Sequence, residues 1–337
     1  MDHMAKEAET FLKGLEVAEQ YFETYGRPML EQDFPFLADR AAAGLVGQGS
    51  ECLGFDDRIS RDHDYGPSFC LWLTREDYLS CGAQLQQAYE RLPGEFLGLG
   101  ARQTAIHGGG RVGVLCIPDF YIGLTGMDDI PKNWREWMCI PEYALASATN
   151  GKVFYDGLGE FSRIRKGLLE FYPEDVRIKK IAARAAVMAQ SGQYNYARAM
   201  KRGEHVTAAL ALAEFVRHTI SMVYLLNRRY TPFYKWMHHG LKTLPVLSET
   251  GLFLEQLVLT ADQSAAWHGV QAEDYLYTLN ENDVCVGLIE KICSNVLVEL
   301  KNQGLTEGND CFLESHTASL MSRIRDPEIR ALPVMSG

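Results

Sequence analysis

The chain has no uninterrupted run of eighteen or more apolar residues, so no segment is expected to cross a bilayer as a helix. It has no CxxC pair and no Cys/His spacing of a zinc site. Its eight cysteines, at 52, 70, 81, 116, 139, 285, 293 and 311, are scattered, several inside apolar runs. There a free thiol behaves as a small hydrophobe, as in a reducing compartment. Positive charge is also short: 33 Lys and Arg stand against 44 Asp and Glu, a formal net charge of −11. Binding to a nucleic-acid backbone needs a basic surface, so no nucleic-acid partner is expected. Internal repeats and low-complexity tracts are missing too. The start, Met1-Asp-His-Met-Ala-Lys-Glu-Ala-Glu9, is acidic and has no apolar signal core, which makes a cytoplasmic setting the expectation.

What is present organises around Gly47-Gln-Gly49-Ser50-Glu51 and, a dozen residues on, Asp62-His63-Asp64. Apolar residues flank both, Ala42–Val46 before and Phe69–Leu73 after, which puts the two motifs at the ends of neighbouring strands. Alternate side chains of a strand share a face, so Asp62 and Asp64 are expected to point together and His63 away. A glycine turn offers backbone N–H groups and the Ser50 hydroxyl to phosphate oxygens, and two co-facing carboxylates suit Mg²⁺. The same glycines could open a GxGxxG dinucleotide fingerprint. Against that, Cys52 holds the third glycine position and no long apolar helix follows. Asp56 and Asp57 follow Phe55 in a presumed turn, where acids satisfy backbone N–H groups.

The pattern resembles the nucleotidyltransferase superfamily of the DNA polymerase β type, and the run from Gly49 to Pro67 resembles bacterial proteins of the DUF4037 family within it. The resemblance spans about Ala42 to Lys235 and is densest at 45–67 and 225–236. It implies a Mg²⁺-dependent enzyme, with Mn²⁺ as a substitute metal, that moves a nucleoside monophosphate from a triphosphate, ATP being the expected donor, to a hydroxyl of a small molecule or protein. Asp62 and Asp64 would hold the metal and carry the chemistry, with Gly49 and Ser50 on the phosphates. Two helical-region segments, Phe161-Ser-Arg163-Ile-Arg165-Lys166 and Asn227–Trp236, resemble further parts of the family pattern. From them Arg163 and Lys235 would add positive charge and Tyr234 a ring for the nucleotide.

The superfamily also implies a third carboxylate, on the strand containing Val112-Gly113-Val114. This chain has Gly113 there, and Glu51, Asp119 and Glu204 are the remaining candidates for the base. A catalytically silent nucleotide sensor is the alternative reading.

The expected fold is α+β, a small mixed-sheet nucleotidyltransferase domain followed by an all-α helical-bundle domain. An N-terminal helix (1–26) leads into the sheet domain (27–125). Its strands lie near Ala42–Val46, Phe69–Leu73, Gln103–Ile106 and Val112–Ile117, and Val153–Tyr155 is the last strand candidate. The region 126–337 should be helical, with long amphipathic runs over 174–201 and 205–228, a polar interruption at Gln193–Arg198 and an extended tail from Asp326.

Overall fold

The computed structural model describes residues 12–62, 65–102, 110–270 and 279–337, apart from the side chains of Arg61 and Asp62. Among them the chain is α+β. Four short strands form one mixed sheet: β1 (Ala42–Leu45), β2 (Cys70–Leu73), β3 (Gly113–Cys116) and β4 (Lys152–Asp156). Their order is β3-β2-β1-β4. β1 runs antiparallel to both β2 and β4, while β2 and β3 are parallel, with Cys70 opposite Gly113. The expected strand at Gln103–Ile106 lies outside the described residues.

The chain divides into two compact units, Met1–Pro131 with Tyr143–Glu170, and Lys132–Glu142 with Phe171–Gly337. The boundary expected near 125 is therefore displaced. Strand β4 pairs with β1, and that pairing draws the segment from Tyr143 to Glu170 into the sheet unit.

In the first unit both faces of the sheet are covered. Helices α1 (Gly14–Tyr21), α2 (Arg27–Asp33), α3 (Pro35–Ala38), α4 (Ser50–Leu53), α5 (Arg75–Tyr89), α6 (Ile117–Thr125), α8 (Glu142–Thr149) and α9 (Glu160–Leu169) accompany it. Ala43, Leu71 and Leu73 join Phe22, Leu30, Leu37 and Leu85 in one core cluster. Trp72 points the other way and stacks on Phe161 of α9 at 3.9 Å between ring centroids. That alternation is the two-residue period of a strand, and burial on both faces explains why β1 and β2 are apolar throughout.

Helix α5 begins where Thr74 caps it, the Thr74 Oγ1 accepting from Asp77 N–H at 3.2 Å. The first helix does not end at Gly26-Arg-Pro28. It passes through a π-helical turn, Phe22–Gly26, into α2. Pro28 sits in the first turn of α2, where its missing N–H costs little. A Cβ on Gly26 would stand 2.5 Å from Phe69, so the glycine admits the close approach.

The second unit is helical: α7 (Trp134–Cys139), α10 (Glu174–Met188), α11 (Ala197–Lys201), α12 (His205–Leu226), α13 (Tyr234–Leu241), α14 (Thr250–Leu259), α15 (Val284–Asn302), α16 (Thr317–Ser322) and α17 (Pro327–Arg330). The tail expected to be extended thus contains α17, capped by Asp326. Gln193–Tyr196, part of the polar interruption, lies in a π-helix, Ala189–Tyr196. Helix α12 is long and apolar enough, by length and composition, to cross a membrane. Its Thr219–Leu226 end is buried in this unit, where the helix packs against α10. Beneath lies a closed ionic cluster. Glu142 is held at 2.8 Å by Arg184, at 2.9 Å by the Ser221 hydroxyl and at 2.6 Å by the Thr231 hydroxyl, with Lys180 at 3.9 Å.

Candidate functional site: the glycine turn

β1 runs straight into the glycine turn. Gly47 has φ +130° and Gly49 φ +133°, backbone that residues with a Cβ rarely adopt. Gly49 is the N-cap of α4, so Ser50 opens that helix. A side-chain amide secures the turn: Asn150 Oδ1 accepts from Gly47 N–H at 2.9 Å, and Asn150 Nδ2 donates to Gly47 O at 2.7 Å. Beyond Gly47, the Gln48 and Gly49 N–H groups donate to no acceptor among the described residues, and Gln48 is exposed. Gly47 and Gln48 border a cavity of about 380 Å³ lined also by Tyr78, Arg111, Leu115, Asp119 and Phe120.

Asp62 ends a 3₁₀ turn, Ile59–Asp62, so the strand expected to carry it is a correction: β2 starts only at Cys70. The cause is local. Asp57 Oδ1 accepts from Ile59 N–H and Ser60 N–H, both at 2.9 Å, and so nucleates the turn. The Ser60 backbone and hydroxyl, with Ile59 N–H, hold the Asp57 carboxyl below its usual range. The Asp62 side chain, His63 and Asp64 lie outside the described residues. Among the described residues no group of three or more His, Cys, Asp or Glu side chains could hold a metal ion.

The three candidate bases are engaged or distant from the turn in sequence. Glu51 is buried and paired with Arg102 at 2.8 Å, and Arg102 also donates to Ser68 at 3.0 Å. Burial lifts the Glu51 carboxyl above its ordinary range, more than Arg102 lowers it. Asp119 reaches the cavity but pairs with Arg75 at 2.6 Å on the surface. Glu204 precedes α12 in the second unit.

Gly113 has φ +97°, and a Cβ there would lie 2.8 Å from Gln86 Oε1. Gln86 Oε1 itself accepts from Val114 N–H at 2.8 Å. Gln86 therefore fills the space that an acid at 113 would use.

Arg163, expected in the helical domain, sits on α9 in the first unit and forms a two-pronged pair with Asp129 at 2.9 and 3.1 Å. Lys235 and Tyr234 belong to the second unit. Lys235 is exposed with its Nζ 5.7 Å from the Trp236 ring centroid. Tyr234 lines an apolar cavity of about 730 Å³ together with Tyr196, Leu212, Val216, Met237 and Leu257.

Sequence reasoning missed Asn150, Gln86 and Arg111, and it read Arg165 only as part of a basic patch. The one local signal for the first was the Asn150-Gly151 turn ahead of β4.

Residues 137–237 match the family model DUF4037, a domain of unknown function. The DUF4037 match covers Asn150 and Arg165 and includes the 225–236 segment, while the glycine turn and Asp62 fall outside it. Among solved structures, a nucleotidyltransferase-like protein from Exiguobacterium sibiricum 255-15 aligns with 90% of this chain and 88% of its own, at 12% identity and a TM-score of 0.33. A TM-score that low leaves the fold to be argued from the chain itself. No curated protein matches the chain.

Proposed function

We propose that the protein binds a nucleoside triphosphate at the glycine turn and transfers its nucleoside monophosphate to a hydroxyl of a small-molecule or protein acceptor. The observation that carries this reading is the pair of N–H groups at Gln48 and Gly49, which donate to no acceptor among the described residues, in a turn whose glycines 47 and 49 have positive φ and whose Gly47 and Gln48 border a cavity that Arg111 also lines. Successive N–H groups in such a turn form a concave anion site, and phosphate oxygens are the acceptors it suits. Ser50 adds a hydroxyl at the start of α4. ATP is the expected donor, and no nucleic-acid or membrane partner is invoked. Asp62 and Asp64 would hold Mg²⁺, or Mn²⁺ in its place, which would offset charge on the phosphates. Arg163, in the same unit as the turn, is a further candidate for a nucleotide contact, able to serve only by leaving Asp129. Eight free cysteines, six of them buried, accord with a cytoplasmic setting.

Incubation with α-labelled ATP, Mg²⁺ and a hydroxyl-bearing acceptor extract tests the proposal. Label transferred to the acceptor with pyrophosphate release, lost in Asp62→Asn and Asp64→Asn while the circular-dichroism spectrum is unchanged, is the expected result. Unchanged turnover in both variants sinks the metal assignment.

A second reading has its own support: a nucleotide-binding protein without turnover. Gln86 occupies the place of a side chain at 113, and Glu51 is tied to Arg102. Saturable ATP binding without pyrophosphate release would favour it.

A further inference from the structure

The backbone ladder between β1 and β4 has its last register pair at Leu45 and Lys152. Two residues past the end of β1, at Gly47, the partner is a side chain. The amide of Asn150 both accepts from Gly47 N–H and donates to Gly47 O, as a neighbouring strand would, across 103 positions of sequence. Asn150 is in turn rigidly placed. One guanidinium nitrogen of Arg165 donates to the carbonyls of Thr149, Asn150 and Gly151 at 2.8, 3.1 and 3.3 Å. Gly151 N–H donates to Cys52 O at 2.7 Å, which ties the same turn to α4. Gly151 has φ +64°, and a Cβ on it would lie 1.9 Å from Leu45 O, so the turn is pressed against the end of β1 with no space for a side chain.

We propose that Asn150 is a positioning residue for triphosphate binding: its amide holds Gly47 so that the next two N–H groups, of Gln48 and Gly49, face the ligand. The inference rests on the phosphate reading of the turn. The amide saturates Gly47 on both its polar groups, leaving it nothing to offer an anion, and fixes the peptide plane from which Gln48 continues. Arg165, through its three carbonyls, holds Asn150 and not the ligand. A turn held in the binding geometry before the ligand arrives spares the ordering cost at binding, which is where such a residue acts on affinity.

The test measures binding of ATP and of inorganic tripolyphosphate, each with Mg²⁺, by calorimetry for the wild type, Asn150→Ala, Asn150→Asp and the control Lys152→Ala. The Lys152 side chain, at the start of β4, forms an exposed pair with Glu19. Asn150→Ala should weaken both ligands by about tenfold or more, the ratio that about 1.4 kcal/mol produces. Asn150→Asp keeps the acceptor for Gly47 N–H, loses the donor for Gly47 O and should fall between. Lys152→Ala should bind as the wild type does. Amide exchange of the 45–50 segment, followed by mass spectrometry well below the unfolding temperature, should quicken in Asn150→Ala while helix α5 of the same unit stays protected.

Wild-type binding that Asn150→Ala leaves unchanged overturns the positioning role alone. A wild type that binds neither ligand overturns the phosphate reading of the turn and this role with it. A uniform rise in exchange across α5 would mean that Asn150 acts on the stability of the whole unit, and also overturns the proposal.

Discussion

Gln86 holds the space in front of Gly113: its Oε1 bonds Val114 N–H at 2.8 Å and would stand 2.8 Å from any Cβ placed at 113. Two independent constraints meet there, a positive φ and a filled volume. Gly113→Asp is therefore expected to destabilise the first unit by roughly 1–3 kcal/mol from the backbone alone, with the clash against Gln86 added. Adding Gln86→Ala should relieve only the clash. Urea unfolding of the single and double variants measures both parts, and a fully stable Gly113→Asp would refute the account.

Gly49→Ala should be damaging for a related reason. At φ +133° and ψ 151° the backbone lies in a region essentially reserved for glycine, and the new Cβ would sit 3.3–3.4 Å from the Glu51 carboxylate. A loss of roughly 1–3 kcal/mol of stability is expected, together with weaker ATP binding in the calorimetric assay. Retained affinity would contradict the role given to the turn.

Removing Arg102 strands a buried acid. Arg102→Met should cost roughly 3–5 kcal/mol near neutral pH, because Glu51 is left charged and unpaired in the interior. Glu51 is already raised by burial, and loss of Arg102 raises it further. The folded form then holds its proton more tightly than the unfolded chain. Stability attached to that proton is fully present below the unfolded glutamate pKa and is lost as pH rises through the folded value. The deficit of Arg102→Met should thus be smaller at pH 4 than at pH 8, as denaturant titrations at the two pH values will show.

Glu142 is expected to behave in the opposite sense. Burial pushes its carboxyl up, but Arg184, Lys180 and the Thr231 and Ser221 hydroxyls outweigh that and hold it below the usual range. Its contribution is present above the unfolded glutamate pKa and is lost as pH falls through the folded value. Glu142→Gln should lower stability near neutral pH by about 3 kcal/mol or more, since Arg184 and Lys180 keep their charge without a counter-ion. It should also flatten the acid limb of the stability curve. Melting temperatures between pH 3 and pH 8 test both statements.

Much of the local architecture was legible in the residues. Apolar runs marked β1 to β4, because a strand is written in contiguous positions. The glycine turn was legible too, since positive φ selects glycine at a given position. Short-range competition defeated the reading at Asp62: the Asp57 carboxylate captures two N–H groups and winds the chain into a 3₁₀ turn where spacing suggested a strand.

The rest was decided only in three dimensions. Glu51 adjoins the turn in sequence and reads as a free acid, yet folding buries it against Arg102, 51 residues away. Gly113 reads as a missing acid, while the packed chain gives its space to Gln86. Asn150 carries no sequence signal beyond a turn with Gly151, and only when β4 joins β1 does its amide reach Gly47. By itself the sequence determined where β1 to β4 and the glycine turn lie, because those depend on neighbours along the chain. Which polar groups are neutralised, displaced or held in place depended on partners far apart in the sequence, and only the tertiary structure could bring them together.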